Sequence, residues 1–266
     1  MSEHDPSAVP ASAPDRAQSP AANIGAAGGP RAWPWNPDQT VAAQLAIASL
    51  QKFFIRSFSR DGRLQLETLF CTVGALTGFA AQYALRQQSL AAGRDGTDGL
   101  LTVESASGER FYFGDRLNAI LVPHWREDLT VWSVIAGEAM RLGAGDLPDG
   151  VEIFERVTKS IGTPAFGVPT LPEGHKPWLM PRKAVEIFWP PVRTAFTREP
   201  VVPVPGFKPV EPRHWPLALA VVGAGYLALG KQSFPPARAV ATFMEAAVAM
   251  SKIDPTTVKF AGTATH

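Results

Sequence analysis

Apolar residues recur at helical spacing over the first ordered stretch of the chain. Asn36-Pro37 supplies a capping residue and a proline suited to a first helical position, and large apolar residues then follow every three to five positions. The predicted buried face of this first helix consists of Val41, Leu45, Leu50, Phe53, Phe54 and Phe58. A second, longer helix is predicted over residues 64–92, where Gly93 is a natural C-terminal stop.

Residues 100–113 change from helical to strand-like composition. Leu101–Val103 and Arg110–Phe113 are rich in residues that favour strands, and they flank the turn sequence Ser105–Gly108. The pattern predicts one β-hairpin. Because an isolated hairpin is only marginally stable in water, we expect it to pack on helices or to pair across a dimer.

Three aspartates mark predicted helix starts after the hairpin. Asp115 is predicted to cap a short helix that ends before Pro123, and Asp128 is predicted to cap a helix over residues 129–142. Asp149 opens a further helix in the pattern of a capping box.

Proline dominates the next part of the chain. Residues 148–216 hold 14 of the 25 prolines, a density that disfavours long regular elements. One helix is predicted at residues 181–196, kinked or split by Pro190-Pro191. Residues 201–212 are predicted to form an extended strap, and two helices at 214–230 and 235–252 follow.

The predicted fold is therefore mainly α, a single multi-helix domain of about seven or eight helices with one β-hairpin and a Pro-rich extended strap. The domain is expected to span residues 33–258. Residues 1–32, rich in Pro, Ala and Gly, are expected to form a flexible tail, and residues 259–266 a frayed C-terminus.

Composition narrows the classes of function. The chain has 266 residues, of which 45% are hydrophobic and 18% charged, with a formal net charge of +1. This balance argues against a disordered chain and gives no global attraction to nucleic acid or anionic membrane. The single cysteine, Cys71, excludes an intrachain disulfide and fits a reducing, cytoplasmic setting.

Two apolar stretches raise the question of a membrane span. Residues 215–230 form a charge-free run shorter than a bilayer requires, and residues 68–85 contain Gln82 and three threonines. We expect both to be central helices that are buried on most faces, which argues against a membrane role.

Gly74 and Gly78 lie four residues apart in the second predicted helix. Small residues at this spacing allow another backbone to approach closely. Either tight packing within the subunit or the interface of a homodimer would use them, and packing within the subunit is the favoured interpretation.

A search for catalytic sequence patterns finds none that is common. The chain has no glycine-rich nucleotide-binding fingerprint, no P-loop, no zinc-protease motif and no nucleophile elbow. His124, His175 and His214 stand near Pro or Trp with no spacing typical of metal ligands. We therefore predict no metal and no cofactor, and the sequence leans against an enzyme without excluding one.

Three carboxylates lie within largely apolar helices: Glu67, Glu138 and Glu245. Such a group is costly to bury unless it is paired, and buried acids with shifted pKa values are candidate general acids or bases. Pairing with arginine is the favoured interpretation, and the candidate partners are Arg116, Arg126, Arg141 and Arg182.

A candidate ligand cleft lies where the hairpin meets the helices. Its predicted residues are Asp115, Asn118, Trp125, Arg126, Trp132 and Glu138. This grouping rests on position along the chain and not on a known motif.

The leading functional hypothesis is a non-catalytic helical protein that self-associates, as a homodimer, or binds an unknown protein partner. One alternative is a small-molecule binder or unrecognised enzyme with an apolar pocket between helices. The other alternative is a peripheral membrane protein.

Overall fold

The computed structural model describes residues 35, 37–123, 129–200, 204 and 206–261. Within these residues the chain forms eight α-helices and two small hairpins, which confirms the mainly α prediction. The helices are α1 Thr40–Phe58, α2 Leu66–Ala91, α3 Asp115–Leu121, α4 Val131–Arg141, α5 Gly150–Ser160, α6 Pro181–Thr197, α7 Trp215–Gly230 and α8 Pro236–Met250. The predicted tail at residues 1–32 and the capping Asn36 and Asp128 lie outside the described residues.

Helix α2 is the centre of the molecule. It packs against α8, α7, α6 and α3, and most of its residues are buried. Among the described residues, α2 is the one helix that is long and apolar enough to cross a bilayer, and 94% of its most apolar window is covered by the rest of the protein. This burial is the one expected for a core helix.

Gly74 and Gly78 lie where α2 meets α8. A Cβ atom on Gly74 would overlap the carbonyl group of Phe243, and one on Gly78 would overlap that of Ala247. The two glycines therefore allow close contact within one chain, which is the interpretation that the sequence favoured, and α8 covers both of them.

The principal hairpin has the predicted position. Strand β3, Leu101–Glu104, pairs antiparallel with β4, Arg110–Phe113, and Phe111 and Tyr112 are buried against the helices. A second hairpin that the sequence did not predict joins α1 to α2, with two-residue strands β1, Ser59–Arg60, and β2, Arg63–Leu64.

Two of the predicted helix starts are corrected. Asp115 is the first residue of α3 and makes no capping hydrogen bond, because Gly114 occupies the capping position. Helix α4 is capped by Thr130, whose side chain and that of Ser133 form a reciprocal capping box. The prediction for α5 is confirmed, since the Asp149 carboxylate accepts the N–H of Val151 at 2.7 Å.

The prolines do not split α6, so of the two predicted outcomes, a kink or a split, the split is wrong. Residues 181–197 form one helix with Pro190 and Pro191 inside it. A proline has no N–H to donate, so the Glu186 carbonyl one turn before Pro190 loses its helical partner. The N–H of Ala261 donates to this oxygen at 2.9 Å, and Phe260 packs against Phe79, so the ordered chain continues beyond the predicted boundary at 258.

Candidate functional site

The chain that leaves α8 is buried although it is polar. Residues 251–254, here called the α8 exit, are all almost fully buried. The side-chain amide of Gln82 donates to the carbonyls of Ser251 and Ile253 at 2.9 and 3.0 Å. The N–H of Tyr112 donates to the carbonyl of Lys252 at 2.7 Å, and Phe111 forms a β-bridge with Ile253. The α8 exit therefore runs beside β4 and fixes the hairpin to α2.

Lys252 is the most unusual residue of the α8 exit. It is 1% exposed, and its Nζ donates to the Asn118 side-chain oxygen at 2.7 Å. The ammonium also lies 5.2 Å from the ring centre of Phe113 and 5.5 Å from that of Phe154. Burial lowers the pKa of Lys252 to about 8, and no described carboxylate is close enough to oppose this effect.

A second cation with incomplete partners lies against the ring of Tyr112. The guanidinium of Arg86 stacks 4.5 Å from the Tyr112 ring centre. Its Nε and Nη2 atoms are buried and have no hydrogen-bond partner among the described residues, and the same is true of Oε1 of Gln82. Because buried polar groups are almost always paired, this pattern calls for a physical explanation.

Arg110 and Asp254 complete this group. The Arg110 Nη2 atom lies 2.8 Å from Oδ2 of Asp254, an ionic contact without hydrogen-bond geometry. Oδ1 of Asp254 accepts the N–H and hydroxyl of Thr256 at 2.9 and 2.7 Å. We call the whole set the exit cluster: Gln82, Arg86, Arg110, Tyr112, Asn118, Lys252 and Asp254. With three basic residues and one acidic residue, its formal charge is positive.

The structure assigns one of the six predicted cleft residues to this cluster, Asn118. Asp115 is exposed at the start of α3, and Trp132 is buried in the core at 6% exposure. Glu138 faces the surface, where Arg141 binds it through Nε and Nη2 at 2.8 and 2.6 Å. Trp125 and Arg126 lie outside the described residues.

The other two embedded carboxylates also have partners. Glu67 lies 2.8 Å from Nδ1 of His175. Glu245 is 5% exposed, and it binds Arg156 and the N–H of Thr170. Burial raises the pKa of the Glu245 carboxyl, against the opposing effect of these two donors. Of the candidate arginine partners, Arg141 holds Glu138, whereas Arg182 binds Glu109.

Neither Cys71 nor the described histidines form a site of recognisable chemistry. Cys71 is fully buried, its Sγ lies 3.7 Å from the carbonyl of Leu179, and burial raises the pKa of its thiol far above the ordinary value. His214 is 7% exposed and accepts from Nε of Arg213 at 3.1 Å. Among the described residues, no three His, Cys, Asp or Glu side chains are grouped to hold a metal ion.

Helix α1 has two apolar faces and not one. The face that contacts the core consists mainly of Ala42, Ala43, Ala46, Leu50, Phe54 and Phe58. Val41 and Leu45, predicted to be buried, are instead 45% and 49% exposed because the smaller alanines beside them turn toward the core. Ile55 is 38% exposed on the same side.

These exposed residues form a continuous line along α1. We call it the α1 stripe: Val41, Leu45, Ala48, Lys52 and Ile55, all exposed. The spacing alternates between four and three residues, which is the spacing of the contact line of a coiled coil. A shallow groove with a cavity volume of about 240 Å³ runs beside its first half. The groove is lined by Ala42, Leu45, Ala46, Ser49, Ala195, Arg198, Glu199, Pro200 and Phe207.

Comparison of the chain with protein-family models, with curated proteins and with solved structures finds no match. The functional argument therefore rests on the geometry of the exit cluster and the α1 stripe.

Proposed function

We propose that this protein functions as a homodimeric helical module, in which two copies pair through the α1 stripe. The observation that carries the proposal is the alternating four- and three-residue spacing of the exposed α1 stripe, four of whose five residues are apolar, on a helix whose opposite face is already buried in the core. A helix that only covers a core needs one apolar face, so the second face is available for another helix.

The stripe favours an antiparallel pair of α1 helices. In a parallel pair, Lys52 of one copy would face Lys52 of the other, which is a like-charge contact. An antiparallel pair centred on Ala48 places Val41 opposite Ile55 and keeps the two lysines apart. The small side chain of Ala48 at the centre allows the two backbones to approach closely.

The groove beside the stripe supports the same arrangement. A two-fold interface uses the same surface on both copies, so a ridge and a groove on one surface fill each other. Leu45 lies at the border of the stripe and the groove, and Arg198 and Glu199 lie at the groove margin. Adjacent opposite charges of this kind can pair reciprocally across a two-fold axis.

The interface is small, and this sets the expected strength. Three large apolar residues per copy are fewer than in obligate dimers, which bury a much larger and more apolar surface. We therefore expect a dimer that dissociates on dilution, with a monomer that remains folded because the stripe is not part of the core.

Sedimentation equilibrium over a range of concentrations tests this proposal. We expect the wild type to change from monomer to dimer and Leu45→Glu to remain monomeric with an unchanged helical circular dichroism spectrum. Leu229→Glu is the matched control, because Leu229 is 63% exposed on α7 and lies outside the stripe. A wild type that is monomeric at every concentration, or a Leu45→Glu dimer as stable as the control, contradicts the proposal.

Oxidative cross-linking tests the orientation. Ala48→Cys places one thiol from each copy at the proposed two-fold axis, within reach of a disulfide. Ala92→Cys is the matched control, since Ala92 is exposed beyond the end of α2, and the buried native Cys71 does not compete. We expect rapid disulfide-linked dimer for Ala48→Cys alone. Equal cross-linking of both variants, or of neither, is evidence against antiparallel pairing at Ala48.

A further inference from the structure

The unpartnered edge of Arg86 has the geometry of a carboxylate receptor. Nε and Nη2 are the two donors on one side of a guanidinium, and they point in nearly parallel directions. Arg141 uses this pair of atoms to hold the two oxygens of Glu138 at 2.8 and 2.6 Å. In Arg86 the corresponding two atoms are buried and have no hydrogen-bond acceptor among the described residues. Leaving the donors of a charged group unpaired in this way is costly.

The surroundings of Arg86 indicate what kind of carboxylate would fit. Gln82 lies one helical turn before Arg86 on the same face of α2. Its amide nitrogen is engaged by the α8 exit, so Oε1 is the atom left to accept a hydrogen bond. The Tyr112 ring covers one face of the guanidinium and leaves the edge as the direction of approach. The charge of Arg86 is one of the causes that lower the pKa of the Asp95 carboxyl, after the Thr97 hydrogen bonds, so Asp95 also lies near this group. Three basic residues, Arg86, Arg110 and Lys252, still outnumber the two acidic ones, Asp95 and Asp254, which favours an anion.

We propose that Arg86 and Gln82 form a binding site for a small carboxylate that also carries a hydrogen-bond donor, as 2-hydroxy and 2-amino acids do. The carboxylate accepts from Nε and Nη2 of Arg86, and the hydroxyl or amino group donates to Oε1 of Gln82. This pairing satisfies both donors and the acceptor at once, and it is separate from the contact between copies through α1.

Arginine Nε–H resonances in ¹H–¹⁵N spectra of the full chain give a direct test. Glycolate, which has a carboxylate and a hydroxyl, is expected to shift the Arg86 resonance saturably, and acetate, which lacks the hydroxyl, to do so more weakly. Arg86→Lys keeps the charge but loses the two-donor edge, and we expect it to weaken glycolate binding, followed by backbone amides of the hairpin, about tenfold or more.

Controls separate this site from general attraction of anions. Arg94→Lys changes an exposed cation that already pairs with Asp98, so we expect it to bind glycolate as the wild type does. An unmoved Arg86 resonance at high glycolate, equal binding by Arg86→Lys, or acetate binding as strong as glycolate overturns the proposal. Stronger binding of inorganic phosphate than of glycolate also overturns it, because the site would then be a phosphate site.

Discussion

Replacing Lys252 by methionine tests the electrostatics of the exit cluster. Methionine has a similar length and no charge, so it keeps most of the packing against Phe113 and Phe154. It removes the donor to Asn118 Oδ1 and both cation–π contacts. A buried charge that lacks an ionic partner is costly, and apolar substitution of such a group is often neutral or stabilising.

The pKa of Lys252 fixes the size and sign of the effect. Burial lowers this pKa from 10.5 to about 8, which corresponds to about 3 kcal/mol between the charged and neutral forms. Between these two values the unfolded chain binds more protons than the folded chain, so the free energy of unfolding rises with pH. The wild type is therefore expected to gain about 2–3 kcal/mol from this group between pH 7 and pH 10.

The variant is expected to lack this gain. At pH 7, removing the buried charge of Lys252 stabilises the folded state, and this offsets the loss of its hydrogen bond to Asn118. Leaving the Asn118 side-chain oxygen unpaired costs on the order of 1–3 kcal/mol. Lys252→Met should therefore match or exceed the wild type at pH 7 and be less stable at pH 10. Tyr226, whose pKa burial raises, is present in both proteins and cancels in their difference.

Urea unfolding at several pH values between 7 and 10, followed by circular dichroism, measures the difference. A difference between wild type and Lys252→Met that does not change with pH would refute the assignment of a buried, weakly partnered ammonium. A variant several kcal/mol less stable at pH 7 would show that Asn118 and the two rings stabilise the charge more than burial penalises it.

Four further substitutions have expected outcomes. Gly78→Ala forces a methyl group against the Ala247 carbonyl and should cost several kcal/mol of stability or prevent folding. Gly137→Ala is its control, because the Cβ position there is open, and it should be neutral or stabilising by up to about 1 kcal/mol. The same urea titration measures both. Thr130→Ala removes the cap of α4 and should cost about 1 kcal/mol, measured as a lower urea midpoint. Burial lowers the pKa of His214, so the wild type should lose stability as the pH falls through about 6.5, and thermal unfolding of His214→Gln should lack this loss.

Local signals in the sequence were enough to predict most of the helices. Asp149 and Gly93 mark helix ends by side-chain capping and by a positive φ angle, and both effects act within a few residues. The predictions failed where distant contacts decide. Pro190 remains within a helix, and the carbonyl that it frees accepts the N–H of Ala261, far along the chain; no local pattern contains that information.

The candidate site was less predictable than the fold. Asn118 was identified because it follows the hairpin, but its partner Lys252 comes 134 residues later in the chain. A lysine just after a helix usually points to water, where its charge interacts favourably with the negative C-terminal end of the helix dipole. The sequence around Lys252 therefore gave no reason to expect burial. Val41 and Leu45 were assigned to the core because apolar spacing alone does not tell which of two faces has a partner.

The central position of α2 has a consequence for protein synthesis. Gln82 meets Ser251 across 169 residues of chain, and α7 and α8, which cover much of α2, are among the last elements to be made. At typical elongation rates, a ribosome takes roughly 10–30 s to produce that length of chain. During that time the nascent chain carries a long apolar helix without its cover, so its yield in a cell should depend on the chaperones that bind emerging chains.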